Sequence, residues 1–208
     1  MTVFADADER RRAPLPPGLP DELFVRAGVP MTKREVRALT MAIAELRPGH
    51  HVLDIGAGTG SLTVEAALLC GEGAVTALER SGDALRLVFE NVARFGLANV
   101  DVVEGAAPAA LTGFEPRSFD RILVGGSGGE LAAILAGLPR LLAPDGRVVC
   151  NTACLETTAT AAAALRGAPW AGFTCSQIGV ARGVPAGRLL RFEALNPVWI
   201  TSARLEDA

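Results

Sequence analysis

The sequence predicts an α/β fold: a mostly parallel, doubly wound, seven-stranded sheet with a C-terminal antiparallel hairpin. Short apolar runs alternate with segments of about 10–15 residues at helical spacing, the pattern of βαβ units. Val52, Leu53 and Ile55 form one such run, read as a buried parallel strand. That run passes through three glycines at alternate positions, Gly56, Gly58 and Gly60, directly into a helical segment beginning at Ser61. A strand ending in a glycine-rich turn that opens a helix is a place to hold a ligand. Bare backbone approaches closely there, and the first helical N–H groups point at whatever sits in the turn.

Residues 1–18 read as an extension or linker remnant ahead of a single domain spanning 19–208. The extension is acidic, then carries Arg10–Arg12, then Pro14, Pro16, Pro17 and Pro20. Partial disorder is expected to about Pro17, with Pro20–Phe24 ordering against the domain. Thr32 reads as an N-cap with Glu35 as its capping-box partner. The helix over about 33–46 then places Val36, Leu39, Thr40, Ile43 and Leu46 on one face, and Pro48-Gly49 ends it. Strand one covers about 51–55, with helix 60–70 behind it. Ala74–Leu78 is strand two, closed by Glu79, and helix 82–95 ends at Gly96. Val100–Glu104 is strand three. After a loop and a short helix, Phe119–Val124 is strand four and runs into Gly125-Gly126-Ser127-Gly128-Gly129. Helix 130–142 contains Pro139 and is broken by Pro144-Asp145-Gly146. Arg147–Asn151 is strand five, the alanine-rich run 156–167 a helix, and the runs 172–181 and 188–202 a closing hairpin.

Composition excludes several classes. Half of the 208 residues are apolar, enough for a sizeable core, yet no run approaches the roughly 20 residues of a membrane span. The charged start at Met1–Arg12 has no apolar segment behind it, which excludes an ordinary secretory signal and predicts a cytoplasmic chain. A net charge of −3, with a single lysine, Lys33, lacks the basic footprint of a nucleic-acid binder. The four cysteines show no Cys-x-x-Cys spacing, and Cys150, ending an apolar run, reads as a buried, inert thiol; no metal site is expected. His50 and His51 precede strand one, at the end of the sheet opposite to where α/β ligands bind, which argues against a catalytic histidine.

Within the turn, Asp54 stands two residues before Gly56, and Ser61 occupies the position where a dinucleotide fingerprint wants glycine or alanine. Asp-Ile-Gly-Ala-Gly-Thr-Gly therefore looks like the cofactor loop of S-adenosylmethionine-dependent methyltransferases, with Gly56, Ala57, Gly58, Thr59 and Gly60 against the cofactor. Two roles are open to Asp54: bracing the loop through backbone N–H groups, or acting through water on the cationic methionine part. Glu79 ends strand two about 20 residues beyond the loop, where an acid accepts from ribose hydroxyls. The turn after strand three would wall the adenine. Its usual acidic side chain is replaced by Ala106, leaving the backbone of Ala106 and Ala107 to make the contact. Four glycines within Gly125–Gly129 are costly in chain entropy, so a substrate is expected to approach that backbone closely. Arg182, Arg188 and Arg191 flank a hairpin loop and suit carboxylates.

Val29-Pro-Met-Thr-Lys-Arg-Glu-Val36, Leu53–Gly60, Glu104-Gly-x-x-Pro108, Gly125–Gly129, Pro144-x-Gly-Arg147 and Asn196-Pro-Val198 stand in order. Over about 19–200 the chain resembles the decarboxylating precorrin methyltransferases of cobalamin biosynthesis. The resemblance implies a class I S-adenosylmethionine methyltransferase fold. It also implies methylation of a polycarboxylate tetrapyrrole at carbon 15, with decarboxylation of the acetate on carbon 12. It places cofactor contacts at Thr32, Gly56–Gly60, Glu79 and Ala107; the family pattern has Asp where Ala106 stands. Some members carry a carbon-5 methyltransferase domain in the same protein, and members form homo-oligomers, including tetramers. Arg182 and Gly125–Gly129 become substrate-binding candidates. For proton handling only Asn151 and Glu156, after strand five, offer themselves. The competing readings are a methyltransferase for protein or RNA, and a cofactor-binding subunit without turnover.

Overall fold

A computed structural model of the chain describes residues 16–206. The disorder expected before residue 16 lies outside the described residues. Among the described residues, nine strands and five α-helices are arranged as β1 (His51–Ile55), β2 (Ala74–Glu79), β3 (Val100–Glu104), β4 (Phe119–Val124), β5 (Leu142–Thr152), β6 (Trp170–Ile178), β7 (Ala181–Ala186), β8 (Leu189–Ala194) and β9 (Val198–Leu205), with α1 (Arg34–Ala44) before β1, α2 (Ser61–Cys70) after it, α3 (Gly82–Arg94) after β2, α4 (Leu131–Leu141) after β4 and α5 (Leu155–Leu165) after β5. Seven strands form one sheet in the order β3-β2-β1-β4-β5-β9-β6. The first five run parallel, and β9 inserts antiparallel between β5 and β6. The order reverses between β1 and β4, which opens a crevice beyond their carboxyl ends.

Both faces of the central strands β1, β2, β4 and β5 are covered, which is why those strands are largely apolar. Leu53, Ile55, Leu78 and Ile122 pack on one side with Ile134, Leu135 and Leu138 of α4 and Ala161 and Leu165 of α5. Val52, Val75, Leu123 and Val149 pack on the other with Val36 and Met41 of α1 and Leu62 and Ala66 of α2. Cys150 is fully buried, and burial pushes its thiol up to about 12. Among the described residues no helix is long and apolar enough to cross a membrane.

Several expectations need correction. Thr32 does not cap α1: the N-cap is Lys33, without a side-chain cap bond, and Glu35 is held by Arg182 instead. The inward face of α1 is Val36, Arg37, Thr40, Met41 and Ala44, while Leu39 is 39% exposed. The stripe is rotated because Arg37 turns inward to meet a buried acid. Pro144-Asp145-Gly146 does not precede β5 but lies within it. β4 pairs with Leu142 and again with Arg147, and the intervening residues are accommodated by a register shift with Asp145 at φ 59°. The closing hairpin is two nested pairs. β6 pairs with β9 in the main sheet, while β7 and β8 form a separate ribbon because Leu195-Asn196-Pro197 interrupts the run expected over 188–202.

The segment before α1 orders as expected at Pro20–Phe24, with a 3-10 turn at Asp21–Leu23 and Leu19 and Phe24 buried. Its anchor is Glu65 of α2, which accepts from the N–H groups of Gly18 (2.8 Å) and Leu19 (3.0 Å) and from Nε of Arg37 (2.8 Å). Arg37 also donates to Asp21, to the carbonyls of Leu19 and Thr32, and lies over the Phe24 ring. A guanidinium with no solvent exposure is tolerable because its donors are met.

Candidate active site

The crevice at the β1/β4 switch point is built by three loops. The β1 loop turns through Gly56, Gly58 and Gly60 at φ 71°, 59° and 74°. A Cβ on Gly56 would stand 2.3 Å from the carbonyl oxygen of Gly126, so the β1 and β4 loops touch backbone to backbone. At Gly58 a Cβ would have no atom closer than 3.8 Å, so there the glycine serves backbone conformation. Gly56 and Ala57 donate to the Leu78 carbonyl at 2.8 and 3.2 Å, tying the β1 loop to β2.

Glu79 at the end of β2 is nearly buried and accepts three backbone hydrogen bonds: from Gly58 at 2.9 Å to Oε2, and from Arg80 (2.8 Å) and Ser81 (2.9 Å) to Oε1. It is Glu79, not Asp54, that braces the loop through N–H groups. A carboxylate has about four lone-pair positions, so Glu79 retains capacity toward the crevice. Asp54 is fully buried and accepts from the Thr63 hydroxyl at 2.6 Å, which ties β1 to α2. Its Oδ1 has no hydrogen-bond partner, and burial, helped by the nearby charge of Glu79, raises its pKa to about 6 against the pull of Thr63.

Two hollows share Pro30, Gly56, Gly58 and Gly125. The first, of about 380 Å³, is lined by Glu79, Arg80, Ala106, Ala107 and the Gly125–Gly128 loop. The second, of about 330 Å³, is lined by Thr32, Lys33, Ala57, Thr59, Asn151 and Asn196. Most sequence-predicted site residues therefore converge. Gly60 and Gly129 serve the turns without lining either hollow. Asn151 lines the second, its amide donating to the Thr40 hydroxyl at 3.0 Å. Glu156 sits on the exposed first turn of α5, away from both. Arg182 likewise lines neither; it holds the Glu35 carboxylate with two bonds at 2.6 and 2.9 Å, which raises its own pKa and lowers that of Glu35.

Sequence reasoning missed three positioning residues. Arg37 fixes the Thr32 carbonyl, and Glu65 fixes Arg37. Asn91 of α3 donates to the carbonyls of Thr59 and Val25 and accepts from the Val25 N–H, each at 2.8 Å, so the N-terminal segment is tied to the glycine loop. Arg37 lies off the apolar stripe of Val36, Leu39, Thr40, Ile43 and Leu46 and carries no local signal of its burial.

The residues present fit S-adenosylmethionine. The unpartnered buried oxygen of Asp54 places negative charge beneath the loop, suited to a sulfonium. Glu79 retains acceptor capacity for ribose, and Ala106 and Ala107 line the far wall. Among the described residues no group of three or more His, Cys, Asp and Glu converges on a metal-sized site.

Residues 22–204 match the family described as precorrin methyltransferase domain. The chain is 45% identical over 191 residues to a probable cobalt-precorrin-6B C(15)-methyltransferase (decarboxylating) of Pyrobaculum calidifontis, an alignment covering 90% of this chain and 95% of the relative. The crystal structure of precorrin-6y C5,15-methyltransferase from Geobacter metallireducens superposes with a TM-score of 0.83 at 34% identity, covering 90% of this chain and 96% of that one. The precorrin 8W decarboxylase of Methanobacterium thermoautotrophicum gives a TM-score of 0.81 at 35% identity, covering 89% and 98%.

Proposed function

The chain belongs to the precorrin methyltransferase family, and on that premise we propose that it methylates carbon 15 of a precorrin-6-stage tetrapyrrole with decarboxylation of the acetate on carbon 12. The observation that carries the reading is the pair of hollows joined at Gly56, Gly58 and Gly125. One is equipped for a nucleoside, and the other opens toward Lys33, Asn151 and Asn196.

When bound, S-adenosylmethionine supplies an electrophilic methyl group. Glu79 would hold the ribose hydroxyls while fixing Gly58. The backbone of Ala106 and Ala107 would face the adenine. Asp54 would balance the sulfonium charge, and Thr32 and Thr59 would flank the methionine part. The glycines of Gly125–Gly128 let a flat macrocycle approach the backbone. A meso carbon of a conjugated, electron-rich ring is already nucleophilic, so these residues act by orientation and exclusion of water rather than by strong base catalysis. Arg182, set at the foot of the ribbon, is available to a substrate carboxylate only by exchanging Glu35 for it.

The β7–β8 ribbon supports self-association. Leu190, Phe192 and Ala194 alternate onto one face, opposite Pro185, Gly183 and Ala181. Leu190 is 69% and Phe192 76% exposed. A two-stranded ribbon is marginal alone, and an exposed apolar face of this kind marks an interface; we assign it to a second copy of the chain. A carbon-5 methyltransferase is the expected functional partner, and the compartment is the cytoplasm. The reading is tested by incubating the protein with S-adenosylmethionine and a precorrin-6-stage tetrapyrrole and weighing the product. Gain of a methyl with loss of carbon dioxide is expected.

A further inference from the structure

A third, smaller hollow of about 110 Å³ opens beside the other two. It is lined by Val124, Gly125, Ser127, Leu131, Asn151, Thr152, Ala153 and Thr157. Gly125 and Ser127 also line the first hollow, and Asn151, Thr152 and Ala153 the second, so all three communicate. Its floor is apolar, with Val124 and Leu131 buried. Its polar groups are hydroxyls and an amide. Thr157 Oγ1 donates to the Cys154 carbonyl at 3.0 Å, and Thr152 Oγ1 lies 2.8 Å from Thr158 Oγ1. Unlike the first hollow, which holds Arg80, and the second, which holds Lys33, this one contains no cationic side chain.

That difference has a chemical meaning, and it rests on the function proposed above. A carboxylate to be retained is best met by a guanidinium or ammonium. A carboxylate to be lost is best placed where water is displaced and no full positive charge replaces it, because charge leaves the carboxyl as the bond breaks. We propose that this side pocket receives the acetate arm whose carboxyl is removed, with Ser127 and Asn151 orienting it, Val124 and Leu131 forming the apolar floor, and Thr157, its hydroxyl turned to the Cys154 carbonyl, serving only as wall. The bond between the acetate methylene and the carboxyl carbon breaks there. Its electron pair passes into the conjugated macrocycle and carbon dioxide leaves; solvent water entering the vacated pocket then protonates the methylene, to which the pair returns, giving a methyl group and hydroxide. The volume admits several water-sized groups, enough for a carboxymethyl arm and too little for the ring.

Two variants test this. Thr157→Leu fills the pocket without charge. It is expected to leave methyl transfer within about threefold of the unaltered protein while decarboxylation falls at least about tenfold, so that a methylated acid, heavier than the final product by carbon dioxide, accumulates. Ala153→Lys, at an exposed rim position, places an ammonium at the mouth. It is expected to tighten tetrapyrrole binding, read from the absorbance of the pigment, and to slow loss of carbon dioxide. Calorimetry with S-adenosylmethionine verifies that each variant retains its first site. The assignment is overturned if Thr157→Leu slows both steps equally or neither, or if Ala153→Lys accelerates decarboxylation. The unaltered protein, run alongside, separates this from the parent reading: if it yields no methylated, decarboxylated product, the functional reading itself fails and the pocket's role with it.

Discussion

Glu79 Oε2 accepts a hydrogen bond from the Gly58 N–H at 2.9 Å, so the acid ending β2 and the central glycine of the β1 loop form one unit. The same carboxylate also holds the N–H groups of Arg80 and Ser81. Loop geometry, and the ribose contact proposed for this acid, thus depend on one side chain. Glu79→Ala is expected to weaken S-adenosylmethionine binding by at least tenfold, about 1.4 kcal/mol, and to lower unfolding stability by about 1–3 kcal/mol through the stranded donors. Glu79→Gln, which keeps one acceptor oxygen, should fall between. Calorimetry and urea unfolding measure both, and unchanged affinity in Glu79→Ala would remove its ligand role.

The glycines of the β1 loop are required for different reasons, and alanine substitution separates them. Gly58→Ala meets only ordinary van der Waals contacts, the nearest 3.8 Å away, and should cost only the left-handed backbone strain, about 1–2 kcal/mol. Gly56→Ala adds a collision with the Gly126 backbone at 2.3 Å, about 1–3 kcal/mol of overpacking on top of the strain. It should also displace the β4 loop, so that substrate and cofactor affinities fall together. Equal stability losses for the two variants would show that the loops are not in register as described.

Asp54 makes stability depend on pH. Burial raises its folded pKa from 3.8 to about 6. Between those values the folded chain holds a proton that the unfolded chain has lost. The contribution of this group to stability is therefore fully present below about pH 4 and is lost as pH rises through about 6, by up to about 3 kcal/mol. Asp54→Asn, which can still accept from Thr63, removes that dependence. The stability of the variant relative to the parent should improve by about that amount between pH 4 and pH 7 in urea titrations. A pH-independent difference would mean that Asp54 is ionised throughout.

The ribbon face carries a prediction about assembly. Phe192→Asp puts a charge amid Leu190, Pro185 and Gly183, and is expected to convert an oligomer into monomers with the fold intact, as read by light scattering and circular dichroism. An unaltered protein that is already monomeric would contradict the assignment of this face to a second copy.

The succession of parallel strands and helices and the glycine-rich turn after β1 were legible in the sequence because continuous apolar runs and alternate glycines are local signals. What escaped depends on distant partners. The Thr32/Glu35 spacing matched a capping box, yet Arg182, remote in sequence, takes Glu35. Arg37 and Glu65 each look like surface charges, and only the packing of α2 against the N-terminal segment makes them a buried pair. The loop-bracing role read into Asp54 belongs to Glu79, because Asp54 points beneath the sheet edge toward Thr63. Pro144-Asp145-Gly146 reads as a break, but β4 tolerates it as a shift in register. Of the third hollow only Gly125, Ser127 and Asn151 stood out in the sequence; its outline did not, since its lining is gathered from β4, β5, α4, α5 and the loops between them.

The central claim is that this chain joins methyl transfer to loss of a carboxyl on one tetrapyrrole. The most direct measurement is mass spectrometry of a precorrin-6-stage substrate incubated with the protein and S-adenosylmethionine carrying an isotopically labelled methyl group. A product that has gained one labelled methyl and lost carbon dioxide is the result expected. An unchanged tetrapyrrole, despite cofactor binding verified by calorimetry, would contradict the account.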